Sequence, residues 1–250
     1  MASVSEQLAS RINLGSIAKA EDLKKRILFT LLALIVYRIG SYIPVPGIDP
    51  VALEKVFERN VGGILGMFDM FAGGALGRMT IFALNIMPYI SASIIMQLLT
   101  VISPQLEQLK KEGEAGRKKI NQYARYGTVF LATVQGYGVA VGIENMSNSQ
   151  GIQAVMDPGT FFRLVTVITL VSGTLFLVWL GEQITQRGIG NGISLIIFTG
   201  IVAQLPLALS TTFELGRTGA LSTLFIVFLL VMSVAVIAFM VFIERATRRL

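Results

Sequence analysis

The chain contains no cysteine and no histidine, and only 14% of its 250 residues are charged. Without cysteine there is no disulfide framework, iron–sulfur cluster or thiolate metal site. Without histidine, zinc sites of the usual kind and imidazole acid–base catalysis drop out as expectations. An ordinary soluble domain carries roughly 25% charged residues. A soluble fold of this length needs about that much polar surface to stay dispersed. What the chain does have is an apolar majority of 53% and a mean hydropathy of +0.69. That surplus must face another apolar phase, and a bilayer is the natural one.

The gaps between charged residues mark the spans. Uncharged runs cover 79–106, 126–143, 164–181, 188–213 and 218–243. A helix crossing the hydrocarbon core needs about 20 mainly apolar residues, so each run is assigned one span. A further span, 27–43, is apolar except for Arg38. The expected class is all-α, a polytopic membrane helix bundle of six spans. Residues 1–26 are polar and lack the pattern of a cleaved signal peptide. They read as an amphipathic lead-in.

The net charge of +6 becomes informative once the basic residues are placed. Arg11, Lys19, Lys24, Lys25 and Arg26 precede the first span. Lys110, Lys111, Arg117, Lys118, Lys119 and Arg125 lie between the second and third, Arg187 between the fourth and fifth, and Arg245, Arg248 and Arg249 after the last. Lys55, Arg59, Arg78, Arg163 and Arg217 fall on the opposite side. The positive-inside rule then puts both ends of the chain in the cytoplasm. The basic balance is a topology signal rather than a nucleic-acid-binding domain, although it leaves basic loops on which a ribosome can dock.

Some stretches are not simple spans. Residues 44–78 open with Pro44-Val45-Pro46-Gly47, which cannot continue a helix, and include an apolar, glycine-rich stretch at 62–74 with one acid, Asp69. Such a stretch is too short to cross. It is tolerated at membrane depth only when buried in protein or lining a cavity, either as a re-entrant hairpin or as a movable stopper. The physics alone favours the hairpin. Gly188, Gly190 and Gly192 lie in a short connection with no strand before them and no Lys-Ser/Thr after them. They read as a tight helix–helix turn, not a nucleotide loop. Arg38 is the one ionisable residue deep in a span, at an insertion cost of roughly 3 kcal/mol, and either snorkels or faces a polar interior. Asn85, Gln97, Gln135 and Asn191 are expected to hydrogen-bond between helices. No nucleophile–base pair, carboxylate dyad or metal cluster falls within the spans. This counts against an intramembrane enzyme and against an ion-coupled transporter.

Several local sequences, in one order and at matching spacing, resemble the SecY family, the channel-forming subunits of the bacterial Sec protein translocon. They are Tyr37-Arg38-Ile39-Gly40 with Ile43-Pro44-Val45-Pro46-Gly47-Ile48-Asp49, Met67-Phe68-Asp69-Met70-Phe71 with Gly73-Gly74-Ala75-Leu76, and Ile86-Met87-Pro88-Tyr89-Ile90-Ser91-Ala92-Ser93-Ile94. Further along come Lys110-Lys111-Glu112-Gly113-Glu114 with Gly116-Arg117, Trp179-Leu180-Gly181-Glu182-Gln183-Ile184-Thr185, Arg187-Gly188-Ile189-Gly190-Asn191-Gly192-Ile193-Ser194 and Glu244-Arg245.

The resemblance implies ten helices in two halves of five around an hourglass pore, with this chain as an N-terminal part holding six. Residues 27–209 are then the first half, and 210–250 the start of the second with the beginning of a cytoplasmic loop. It implies that about 62–76 form a plug helix, carrying Gly66, Met67, Phe68, Asp69, Met70, Phe71, Gly73 and Gly74, which reverses the preference for a hairpin. It assigns Ile86, Ile90, Ile193 and Ile197 to the pore ring, each pair spaced i, i+4 on one helix face. Spacing alone makes them ordinary packing residues. It assigns Ser91, Gln97 and Gln135 to a lateral gate, and Lys110, Lys111, Arg117, Lys118 and Lys119 to docking of cytosolic partners. The implied function is passage of secretory proteins across, and membrane proteins into, the bacterial plasma membrane. The implied partners are SecE, SecG, SecA, the ribosome, signal peptides, nascent chains and the lipid bilayer. No catalytic residue, cofactor, metal or small-molecule substrate is implied. The alternatives are half of an inverted-repeat secondary transporter and a passive membrane scaffold.

Overall fold

A computed structural model describes residues 21–58, 69–70, 72–219 and 221–245. These residues are helical, with two isolated antiparallel bridges, Pro44 with Thr80 and Ile48 with Val155, and no strand among them. The helices are α1 (Glu21–Gly40), α2 (Pro50–Glu58), α3 (Met87–Ile102), α4 (Pro104–Lys111), α5 (Glu114–Gln150), α6 (Thr160–Arg187), α7 (Gly192–Val202), α8 (Leu205–Arg217) and α9 (Thr223–Arg245). The chain divides into two compact units, one reaching Ile201 and the other starting at Val202. That division falls one residue before the end of α7. Pro206, in the first turn of α8, has no N–H to donate into a continuing helix.

Among the described residues, four helical stretches are long and apolar enough to cross a membrane: Glu114–Ser147, Thr160–Arg187, Gly192–Arg217 and Leu224–Arg245. A fifth is reached if α3 and α4, bent by 100° at their junction, count as one. α1 falls outside this set because Glu21, Asp22, Lys24, Lys25, Arg26 and Arg38 all lie within its 20 residues. The expected second span also differs. Residues 79–86 are turns rather than helix, with Met79 and Asn85 at positive φ. α3 starts only at Met87, with Pro88 in its first turn, where a missing N–H costs nothing. It stops before Pro104, which opens α4. α5 extends well beyond its uncharged centre because Glu114, Lys118 and Lys119 continue the same helix.

The first unit is held by two apolar clusters. One joins Leu53, Val56 and Phe57 of α2 to Leu76, Met79 and Ala83 of the turn run, Ala140 and Ile143 of α5, and Leu170 of α6. The other joins Ala33 and Tyr37 of α1 to Phe82, Ile86, Leu177, Leu180, Ile184 and Ile196. An aromatic ladder crosses it: Tyr37 stacks on Phe82 at 6.1 Å, and Phe82 stacks on Phe176 at 5.9 Å. The connection from α6 to α7 is the expected tight turn. A Cβ on Gly192 would lie 2.0 Å from the Gly181 carbonyl oxygen, and one on Gly188 would lie 2.4 Å from Thr30 Oγ1. Thr30 in turn accepts the Ile189 N–H at 3.1 Å, tying α1 to this turn.

Candidate functional site

The residues assigned to a ring from sequence lie at the start of α3 and on α7, about 100 residues apart in the chain. Ile86, Ile90 and Ile193 pack into the same apolar cluster beside Leu180 and Ile184 of α6. Ile86 sits at the N-cap of α3 and is fully buried. Ile90, Ile193 and Ile197 are half-buried, and Ile197 stands outside the cluster. Ile86 is thus set in packing, while the other three keep part of their surface open. α7 is positioned by its cap. Asn191 Oδ1 accepts the N–H groups of Ile193 and Ser194 at 3.1 and 3.3 Å, and Thr185 Oγ1 accepts the Gly192 N–H at 2.9 Å. Asn191 is therefore a helix cap, not the interhelical polar contact expected from sequence. A side-chain oxygen on orphan N–H groups at a helix start contributes about 1 kcal/mol.

Two of the three assigned gate polars line one cavity. Ser91 of α3 and Gln135 of α5 line a cavity of about 520 Å³ with Asn85, Met87, Gly138 and Gly142. Its remaining wall is apolar and includes Phe57, Leu76 and Met146. Gly138 and Gly142 leave it open, since a Cβ on either meets nothing within 4 Å. Gln97 lies elsewhere, exposed on the far part of α3. Its carbonyl accepts the Thr100 hydroxyl at 2.7 Å.

Of the stretch assigned to a plug, Gly66, Met67, Phe68 and Phe71 lie outside the described residues, while Asp69, Met70, Gly73 and Gly74 lie within them. Asp69 Oδ1 accepts the Gly77 N–H at 2.7 Å, and its carbonyl accepts that of Gly74 at 2.9 Å. Burial raises its carboxyl pKa above 3.8, opposed by hydrogen bonds from the Gly77 and Leu76 amides and by the Arg78 charge. Gly73, at φ +69°, faces α7 so closely that a Cβ there would lie 2.7 Å from the Gly200 carbonyl oxygen. Met70 is exposed.

The basic residues assigned to partner docking, Lys110 and Lys111 at the end of α4 and Arg117, Lys118 and Lys119 at the start of α5, are all exposed. Lys111 pairs with Glu107 one turn back at 2.7 Å, and this bond holds the exposed Glu107 carboxyl below the usual range.

Sequence reading missed two ion pairs between α5 and α6. Glu144 is buried; it accepts Arg163 Nε at 2.7 Å and the Gly159 N–H at 2.6 Å. At the other end of the hairpin, Arg125 and Glu182 form a bidentate pair at 2.6 and 2.7 Å. The signal was present: each pair consists of charges bounding adjacent uncharged runs, which an antiparallel hairpin brings level. Among the described residues, no group of three Asp, Glu, Cys or His side chains is placed to hold a metal ion.

A sequence model of the SecY family matches residues 80–250. The protein translocase subunit SecY of Buchnera aphidicola subsp. Acyrthosiphon kondoi is 58% identical over 229 residues, which cover 92% of this chain and 64% of that protein. The Escherichia coli K12 protein of the same name is 57% identical, with 92% and 51% covered. That of Pseudomonas aeruginosa is 58% identical, with 92% and 50% covered. The chain thus spans about half to two thirds of the length of these relatives. A solved structure described as a protein-conducting channel aligns with a TM-score of 0.52 at 23% identity, covering 73% of this chain and 37% of that one. Sec61 in the canine ribosome–channel complex from the endoplasmic reticulum aligns equally well. At that identity the likeness shows the fold.

Proposed function

This chain belongs to the SecY family, and we propose that it supplies one wall, half of the constriction and the outer seal of a protein-conducting channel in the bacterial plasma membrane. The observation that carries the reading is the meeting of Ile86, Ile90 and Ile193 in one cluster. Branched aliphatic side chains from two distant helices converge, and Ile90 and Ile193 keep surface open beside them. Such a ring closes on an extended chain without specific bonds, and excludes ions by dewetting when empty. In this reading Ile86 anchors the ring, while Ile90, Ile193 and Ile197 touch the passing polypeptide.

The cavity shared by Ser91 and Gln135 is the inner face of one side of the lateral gate, formed by α3 and α5, past which an apolar signal segment leaves the pore. Its apolar wall with a few polar groups suits such a segment. The stretch around Asp69 to Gly74 is the base of the plug, held against α7 at Gly73 and Gly200. The exposed basic side chains from Lys110 to Lys119 face the cytosol with both ends of the chain, in keeping with the charge asymmetry, and dock the SecA motor or a ribosome. SecE and SecG complete the assembly. The chain itself performs no catalysis and holds no cofactor. Family membership removes the support for the transporter alternative.

The test is a photo-crosslinking amino acid at Ile90, Ile193 or Ile86 in an assembled, translocation-active channel carrying a stalled secretory protein. Capture of that protein from Ile90 and Ile193, and weakly from Ile86, is expected. Labelling of neighbouring helices or lipid alone from all three positions would remove the ring assignment.

A further inference from the structure

Two arginines that the channel reading does not use share one tyrosine. Tyr42 lies just beyond the end of α1 in a turn fixed by its N–H donating to the Ile39 carbonyl at 3.1 Å and by the Ser41 hydroxyl donating to the Arg38 carbonyl at 2.7 Å. The Arg38 guanidinium carbon stands 5.2 Å from the Tyr42 ring centroid and that of Arg78 stands 4.4 Å from it. Arg38 Nη2 donates to the Tyr42 hydroxyl at 3.0 Å. Arg78 donates through Nε and Nη2 to the carbonyls of Gly74 and Gly73 at 2.9 and 3.4 Å.

Two like charges on one ring repel, and a neutral ring and two carbonyls do not neutralise them. Among the described residues neither arginine forms an ion pair. The Asp69 carboxylate feels the Arg78 charge but is bonded to the Gly77 N–H and forms no ion pair with the guanidinium. Arg38 Nη1, shielded from water, has no hydrogen-bond partner there either. The arrangement has donors and charge, and among the described residues no carboxylate in ion-pair contact with either arginine.

The surroundings say which anion. Preceding the arginine–tyrosine turn, α1 presents an apolar face at i, i+4 and i+8: Leu31 is 53% exposed, Ile35 54% and Ile39 62%. Tyr42 itself, 57% exposed, is the residue type enriched where a helix leaves hydrocarbon for water. Arginine presents a planar fork of donors matched to phosphate. A phosphate joined to acyl chains satisfies both halves of this surface at once, whereas free phosphate leaves the apolar half uncovered.

We propose that Arg38, Tyr42 and Arg78 bind the phosphate headgroup of an anionic phospholipid whose acyl chains run along the Leu31–Ile35–Ile39 face of α1. Because Arg78 also holds Gly73 and Gly74, the lipid headgroup sits next to the base of the segment that follows Asp69. The site requires only that α1 be embedded in a membrane, so it stands or falls separately from the ring.

The experiment uses the purified chain in phosphatidylcholine vesicles containing a small, equal fraction of a diazirine-bearing phosphatidylglycerol or phosphatidylcholine probe, with adducts mapped by mass spectrometry. Several-fold more labelling of residues 31–42 by the phosphatidylglycerol probe is expected. The excess should fall to the phosphatidylcholine level in the Arg38→Gln, Arg78→Gln double variant. Equal labelling by the two probes in the unaltered protein overturns the proposal, and does so even if the double variant fails to fold. An excess that survives in a folded double variant overturns it as well. Loss of the excess on adding inorganic phosphate, at an ionic strength matched with chloride, would assign the site to free phosphate and not to lipid.

Discussion

Replacing Gly192 with alanine puts a methyl group where the main chain leaves no room. The new Cβ would lie 2.0 Å from the Gly181 carbonyl oxygen and 2.7 Å from the Ile184 Cβ. A carbon and a carbonyl oxygen approach comfortably only to about 3.3 Å, so α6 and α7 must separate by roughly 1 Å. Neither neighbour swings aside by a rotamer change, since one is backbone and the other is bonded directly to it. Overpacking of this kind costs about 1–3 kcal/mol. Ala in place of Gly in a helix offsets at most about 1 kcal/mol of it. A net loss of about 1–2 kcal/mol corresponds to a melting temperature lower by about 2–8 °C for a unit of this size. Trp179, the single tryptophan of the chain, stands two residues before Gly181 and makes the assay local. Thermal unfolding in nanodiscs is followed by its fluorescence and by circular dichroism. Gly190→Ala is the control: at φ +73° with nothing within 4 Å, it costs only the left-handed penalty of about 1–2 kcal/mol without moving α7. If Gly192→Ala melts at or above the unaltered protein, or leaves crosslinking from Ile193 unchanged while destabilised, then the close approach of α6 and α7 does not set the ring.

Gly138→Ala and Gly142→Ala add a Cβ inside α5 where nothing stands within 4 Å. Each is expected to stabilise by up to about 1 kcal/mol, and a melting temperature below that of the unaltered protein would contradict the open cavity wall. Burial raises the Asp69 carboxyl pKa above 3.8, so the folded state holds this proton more tightly than the unfolded state. Its contribution to stability is fully present below the unfolded value and is lost as pH rises through the folded one. Asp69→Asn should flatten that part of the stability–pH curve, and an unchanged slope would remove the assignment. The Arg125–Glu182 pair is partly exposed, so a double-mutant cycle should give a coupling of about 1 kcal/mol or less, falling with added salt. A larger, salt-independent coupling would mean that the pair is buried in the assembled protein.

The helices were legible because charge is expensive in hydrocarbon, and the uncharged runs mark most of them. Their ends were not. A run free of charge says nothing about backbone geometry, so 79–86 read as helix although Met79 and Asn85 turn the chain at positive φ. The bend before Pro104 follows from proline's missing N–H, a signal masked by the longer apolar run around it. α5 was underestimated for the opposite reason: beyond the hydrocarbon a helix tolerates charge, and Arg117, Lys118 and Lys119 extend it. The ring residues carry no signal of their own. Ile90 and Ile193 have the same spacing and chemistry as core isoleucines, and only the surrounding family-like sequence separates them. Asn191 read as an interhelical contact because sequence shows a polar residue near a span but not whose N–H groups it faces. The cluster of Arg38, Tyr42 and Arg78 was out of reach, since Arg78 is brought back beside α1 by turns that no periodicity describes.

The central claim is that isoleucines of α3 and α7 surround a polypeptide in transit. Since the chain has no cysteine, single cysteines at Ile90, Ile193, Ile197 and, as a control, Leu32 on α1 report without background. In an assembled channel holding a stalled secretory protein with one cysteine midway along its trapped segment, disulfide formation is measured at each position. The account predicts adducts at positions 90, 193 and 197 that appear only with the stalled chain, and none at 32. Adducts at 32 as abundant as at 90 and 193, or none at any ring position while translocation proceeds, would contradict it.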